Sequence, residues 1–171
     1  KPEGKLNGWM SYTYSRTFLR QNDPRIANPV NHGEWYPTEY DKPHDFKLIA
    51  NYKFTRRYSM SLNLDYSTGR PTTVPAGQYW DNSLNRMQVY YTDRNSYRVP
   101  DYFRIDWSIN IEPSHHLTLL THSSISIGVY NLTGRKNVYS IYYVPEGEKI
   151  KGYKMSIFGS PIPFVTYNIK F

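Results

Sequence analysis

The chain contains no cysteine, so neither a disulfide framework nor thiolate chemistry enters its reading. It has no apolar run near the ~18 residues a membrane-crossing helix needs. Its opening decapeptide, "KPEGKLNGWM", lacks a continuous apolar stretch and is not expected to be a signal peptide. The common catalytic signatures are missing too: there is no G-x-S-x-G, no H-E-x-x-H and no phosphate loop. "STGRP" (67–71) and "LTGRKN" (132–137) each set a glycine before a basic residue. Without phosphate-loop spacing or a following helix they read as turns leaving strands. His115, His116 and His122 lie close in sequence, but a solvated turn is a better reading than metal ligation. Asp41, His44 and Asp45 in "YDKPHDF" suggest a hydrolytic or metal cluster; Pro43 points instead to a turn leading into a strand. No enzymatic role and no cofactor is expected.

What is abundant is tyrosine: 18 Tyr, 7 Phe and 4 Trp make the chain 17% aromatic. The net charge of +7 raises the question of nucleic acid. The basic residues are spread along the chain, however, and Arg56–Arg57 is the one adjacent arginine pair. With no RNP-like motif and no basic helix, nucleic acid is not expected as a partner. The negative mean hydropathy looks soluble at first sight. A strand apolar on one face and polar on the other averages to the same score, so that inference is weak.

Period two dominates. Leu6, Gly8, Met10, Tyr12, Tyr14 and Phe18 fall on one face, with Arg16 the exception, and Asn7, Trp9, Ser11, Thr13, Ser15 and Thr17 on the other. Phe46, Leu48, Ala50, Tyr52 and Phe54 repeat the pattern, as do Tyr58, Met60, Leu62, Leu64 and Tyr66. Phe103, Ile105, Trp107, Ile109 and Ile111 follow, then Ile125, Ile127 and Val129. The alternation fades through 131–137, resumes at Tyr139, Ile141 and Tyr143, and closes with Val165, Tyr167, Ile169 and Phe171. Six strands are expected, over 6–18, 46–54, 58–68, 102–112, 123–143 and 153–171. Most are ~9–13 residues long, against ~5–6 in ordinary domains, and ~9–11 is what a bilayer asks of a tilted strand.

The connections alternate in size. Residues 19–43, 69–100 and 144–152 are long and polar, whereas 54–58 is a tight turn and 113–122 a moderate one. Long loops at one end and short turns at the other are the asymmetry of outer-membrane barrels. Aromatics gather near strand ends, among them Tyr12, Tyr14, Phe18, Tyr58, Tyr66, Tyr102, Phe103, Tyr139, Tyr142, Tyr143, Tyr153 and Phe171. Girdles of this kind sit at the two membrane interfaces.

"GWMSYTYSRTF", "NHGEWYPTEYDKPHDFKLIANYKFTRRYSMSLNLDYSTGRPTTVP", "RNSYRVPDYFRIDWSINI", "GVYNLTGRKNVYSIYY" and "YKMSIFGSPIPFVTYNIKF" resemble the C-terminal part of TonB-dependent outer-membrane receptors of Bacteroidetes-type bacteria. The resemblance covers almost the whole of 1–171. It implies an all-β fold: an antiparallel transmembrane β-barrel segment of about six long strands, the last of a barrel of about 22 strands, with long extracellular loops and short periplasmic turns. It implies energy-coupled import of a nutrient across the outer membrane of a Gram-negative bacterium. A plug and a TonB-type energy-transducing complex belong to such a receptor, and neither a plug nor a TonB-contacting segment is found here. Six strands in lipid would leave two edges of unpaired backbone groups, so the chain is expected to be a fragment or one piece of a split barrel, completed by the rest of the barrel or by a second chain. Membrane lipid, the barrel-assembly machinery and a surface lipoprotein are the other partners the resemblance implies.

On that reading Trp9, Lys47, Asn51, Lys53, Asn63, Asp65, Arg104, Asp106, Asn110 and Asn168 face the lumen, against the plug, water or substrate. Loop aromatics Trp35, Tyr36, Tyr40, Tyr79 and Trp80 either contact ligand or pack loop on loop. Val165, Tyr167, Ile169 and Phe171 face lipid, and by resemblance form the C-terminal assembly signal. Two rivals stand beside this reading: a structural barrel component of a larger outer-membrane assembly, and a soluble carbohydrate-binding β-sandwich.

Overall fold

The structure, a computed structural model, describes residues 4–112, 122–147, 149–157 and 159–170. In chain order its elements are β1 (Leu6–Tyr14), β2 (Phe18–Leu19), a 3-10 turn (Val30–Gly33), β3 (Tyr36–Pro37), β4 (His44–Lys53), β5 (Tyr58–Ser67), β6 (Pro71–Thr72), β7 (Pro75–Asp81), β8 (Arg86–Tyr91), β9 (Tyr97–Arg98), β10 (Tyr102–Ile111), β11 (His122–Tyr130), β12 (Val138–Glu146), β13 (Lys149–Ser156) and β14 (Ile162–Lys170). The chain is all-β, with no α-helix among the described residues.

Six strands form one antiparallel sheet in the order β1-β4-β5-β10-β11-β14. Each of the six pairs with the next of them along the chain, as a meander. The register turns the sequence alternation into rows. Leu6, Tyr52, Met60, Ile109, Ile127 and Val165 lie opposite one another across all six strands. Beside them run Gly8, Ala50, Leu62, Trp107, Val129 and Pro163. Successive side chains of a strand point to opposite faces, so the complementary rows hold the polar set. Ser11, Lys47, Asp65 and Arg104 form one, and Lys53, Ser59, Asn110, Ser126 and Thr166 another. A one-residue slip would exchange the two faces, which is why the register is well specified.

The polar face is stitched across four strands. Ser61 Oγ donates to Asn51 Oδ1 at 2.7 Å, Asn110 Nδ2 donates to Ser61 Oγ at 3.2 Å, and Ser126 Oγ donates to Asn110 Oδ1 at 2.6 Å. Among the described residues, none of the apolar face's side chains is buried. Val165 is 71% exposed, Met10 68% and Leu6 67%, and the only buried hydrophobic side chains among the described residues, Tyr36 and Val99, lie in the connections. Nor is the sheet closed: β1 and β14 each bond to a neighbour on one side only.

The connections β1–β4, β5–β10 and β11–β14 leave from one end of the sheet. At the other, residues 54–57 make the tight turn expected, with Thr55 Oγ1 accepting from the Arg57 and Tyr58 amides at 3.2 Å each. The long connections are not structureless. That between β5 and β10 projects the hairpin β7-β8, and that between β11 and β14 the hairpin β12-β13. The strand expected over 123–143 is therefore two elements, and so is that over 153–171. The break falls at Asn131 (φ 52°) and Gly134 (φ 63°), whose left-handed backbone ends the ladder. Where β11 leaves, this segment takes its place beside β10. The Leu132 amide donates to the Ile105 carbonyl at 2.7 Å, and Asn137 clasps both backbone groups of Phe103.

Candidate functional site

The most deeply buried polar group sits among the loops. Asp41 is 1% exposed. Its carboxylate accepts the Thr17 amide at 2.9 Å, Arg16 Nε at 3.3 Å and a short bond from Arg98. Arg98 also donates to the Asp41 carbonyl at 2.7 Å and the Gly69 carbonyl at 2.9 Å. Burial alone would raise the carboxyl pKa; the Thr17 amide, the Arg98 bond and the two guanidinium charges outweigh it and hold it below the ordinary value. A second weld joins the same two connections: Asn31 and Arg94 exchange amide–backbone bonds at 2.9 and 2.7 Å, and Asn95 Nδ2 donates to the Pro37 carbonyl at 2.8 Å. Residues 15–43 and 68–101 thus form one interlocked cap over one end of the sheet. The cluster of Asp41, His44 and Asp45 does not assemble. His44 Nδ1 meets Tyr12 Oη at 2.8 Å, Asp45 lies 3.9 Å from Lys47 Nζ, and the described residues hold no group of metal ligands.

Below the cap, the polar face holds a groove. Cavities of about 320, 510 and 360 Å³ all share Tyr102 and Arg104 as walls. The first runs over the sheet between Trp9, Lys47, Asn63, Asp65 and Asp106. The second reaches the loops at Lys42, Arg70 and Tyr139. The third is apolar, between Tyr130, Ile157 and Ile162. Arg104 is fixed at their junction. Its Nε donates to Asp106 Oδ1 at 2.7 Å and its guanidinium lies 5.4 Å over the Tyr130 ring, which stacks on Phe164 at 4.3 Å. Asp106 in turn accepts the Asn131 amide at 2.9 Å.

Of the residues expected on the lumen side, Trp9, Lys47, Asn51, Lys53, Asn63, Asp65, Arg104, Asp106, Asn110 and Asn168 all lie on the polar face by register. Trp9, Lys47, Asn63, Asp65, Arg104 and Asp106 come together in the groove. The loop aromatics do not gather as a group. Tyr36 is 8% exposed and packed inside the cap, whereas Tyr40 stands 86% exposed. Arg20 lies 5.9 Å over the ring of Trp35. Tyr79 and Trp80, successive in β7, point to opposite faces of their hairpin. Val165, Tyr167 and Ile169 share the apolar face, each exposed. Phe171, His115 and His116 lie outside the described residues, as does the side chain of His122.

Lys42, Arg70 and Asn137 were not foreseen as site residues. Lys42 lies in "YDKPHDF" and Arg70 in "STGRP", segments that read as strand turns. A cation next to a strand exit was the available signal, but nothing in the sequence brings the two together. Compared with family models, curated proteins and solved structures, the chain matches none.

Proposed function

We propose that the sheet is part of the wall of an outer-membrane β-barrel, in a transporter of the TonB-dependent kind that imports a nutrient. One observation carries this reading. An apolar face runs unbroken across six strands with none of its described side chains buried, exposed on the outer strands and half-buried in the middle ones, while the opposite face is polar and hydrogen-bonded to itself. In water such a face is a large aggregation hazard; against lipid it is the required surface. A carbohydrate-binding sandwich would bury that face under a second sheet about 10 Å away, and none of its described side chains is buried. The long connections all lie at one end, as the extracellular loops of a barrel do. The free edges of β1 and β14 are where further strands of the same barrel or of another chain pair, because lipid tolerates no open edge.

The test is fractionation of a Gram-negative host expressing the whole protein. It should sediment with the outer membrane and need detergent for release. A protein that stays soluble and monodisperse without detergent overturns the reading. Transport is separated from a scaffold role by deleting the TonB-type energising complex, which abolishes uptake in a transporter and changes nothing for a scaffold.

A further inference from the structure

We infer that the groove between the cap and the polar face is a binding site for a small organic anion with an apolar or planar body. The argument begins with the charges of the larger cavity. Among its lining residues are three cations, Lys42, Arg70 and Arg104, and no carboxylate. Arg104 is already paired with Asp106. Lys42 and Arg70 have no ion-pair partner among the described residues; Arg70 makes one long hydrogen bond, 3.5 Å to the Tyr139 carbonyl. Asp41, next to Lys42, is held by Arg98, and Asp101, between the lining residues Pro100 and Tyr102, is bonded to neutral donors. It accepts the Gly69 amide at 2.9 Å and the Tyr66 hydroxyl at 2.8 Å. The charged side chains that line this partly enclosed space are thus all cations, two of them without an ion-pair partner among the described residues, and such a space favours an anion.

The body of the ligand follows from the adjoining cavity. It shares Tyr102, Arg104, Asn137 and Ile157 with the larger one and continues between Tyr130, Asn131 and Ile162. Two aromatic rings and two aliphatic side chains make a slot suited to a flat or hydrocarbon group. Asn137 spends its amide on the Phe103 backbone at 3.0 and 2.9 Å, so it shapes the wall rather than reading the ligand. A charged head held by Lys42 and Arg70 and a body lying against Tyr130, Ile157 and Ile162 satisfy both cavities at once. The inference concerns these residues alone and stands whether or not the sheet spans a membrane.

The experiment is calorimetric titration of the purified whole protein with naphthalene-2-sulfonate and with its neutral counterpart, naphthalene-2-sulfonamide. The expected result is that the sulfonate binds about tenfold tighter, the size of one charge-assisted hydrogen bond, and that the preference shrinks as salt rises. In Lys42→Gln/Arg70→Gln the preference disappears, while in Lys149→Gln/Lys151→Gln, near the tip of the β12-β13 hairpin and outside the lining of both cavities, it persists. Equal affinity for the two probes, no binding of either, or a preference unaltered in Lys42→Gln/Arg70→Gln overturns the inference. Fractionation reports on the membrane and titration on the groove, so failure of one is distinguishable from failure of the other.

Discussion

The guanidinium of Arg98 grips the buried carboxylate of Asp41 from 57 positions away and holds the Asp41 carbonyl at 2.7 Å with its other nitrogen. This pair fixes the connection that precedes β4 against the one that precedes β10. Arg98→Ala leaves the carboxylate with Arg16 and the Thr17 amide. Removing one partner of a buried pair costs about 3–5 kcal/mol; since the Arg98 side chain is 31% exposed, about 3 kcal/mol is expected. Hydrogen exchange checks it. The Thr38 and Val99 amides should lose protection by on the order of a hundredfold, while those of Leu64 and Trp107 keep theirs. Equal loss in cap and sheet would mean that the two are one cooperative unit.

Acid should loosen the same cap. The Asp41 carboxyl lies below its ordinary value when folded. A carboxyl with a depressed pKa contributes stability at pH values above its unfolded pKa and loses it as pH falls through the folded one. Protection of the cap amides is therefore flat from neutral pH down to about 4 and declines below it. Asp101, lowered first by the Gly69 amide against some burial, adds to the decline in the same direction. Asp41→Asn should lower protection at neutral pH and remove most of the acid dependence. A wild-type profile unchanged down to pH 2 would exclude Asp41 as its source.

The faces of the sheet were legible in the sequence because period two survives folding within every strand of the sheet. It misled where two expected strands, 123–143 and 153–171, each proved to be two elements. Alternation at Tyr139, Ile141 and Tyr143 reads as a continuation of Ile125, Ile127 and Val129, but Asn131 and Gly134 turn the chain out of the sheet between them. What alternation cannot record is which sheet a strand joins. The cap was illegible for another reason. Asp41 stood out beside His44 and Asp45, its neighbours in sequence, whereas its partner is Arg98, brought near only by the pairing of β4, β5 and β10. The groove shares that difficulty, since Lys42, Arg70, Arg104 and Ile157 come from four separate segments.

Gly128, in β11, lies between Ser108 of β10 and Phe164 of β14. A Cβ there would lie 2.4 Å from the Trp107 carbonyl oxygen, 2.6 Å from Ser108 Cβ and 2.7 Å from Phe164 Cζ. Gly128→Ala is expected to cost about 3 kcal/mol, the upper end for overpacking, because the nearest atom is backbone and cannot swing aside. Denaturant titration of the purified protein measures this. Gly128→Ala/Phe164→Ala should recover little, since Phe164 supplies only one of the three contacts. Full recovery would show that the ring, and not the ladder, sets the requirement for glycine.

Leu64 and Asn63 are neighbours in β5 and test the assignment of the two faces directly. Leu64 lies between Leu48 and Ile105 on the apolar face; Asn63 lies between Ile49 and Asp106 on the polar one. If the apolar face meets hydrocarbon, Leu64→Arg should cost about 2–4 kcal/mol near the bilayer midplane and less near an interface. Asn63→Arg, in a water-filled interior, should cost about a tenth to a half of that, and Asp65 and Asp106 stand close enough to receive the new charge. The measurement is the fraction of each variant that reaches a folded, heat-modifiable form in the outer membrane. A soluble fold with the apolar face turned to water reverses the expectation, because Arg on an exposed face is then harmless. Leu64→Arg matching the wild type would thus remove the ground for placing that face in lipid.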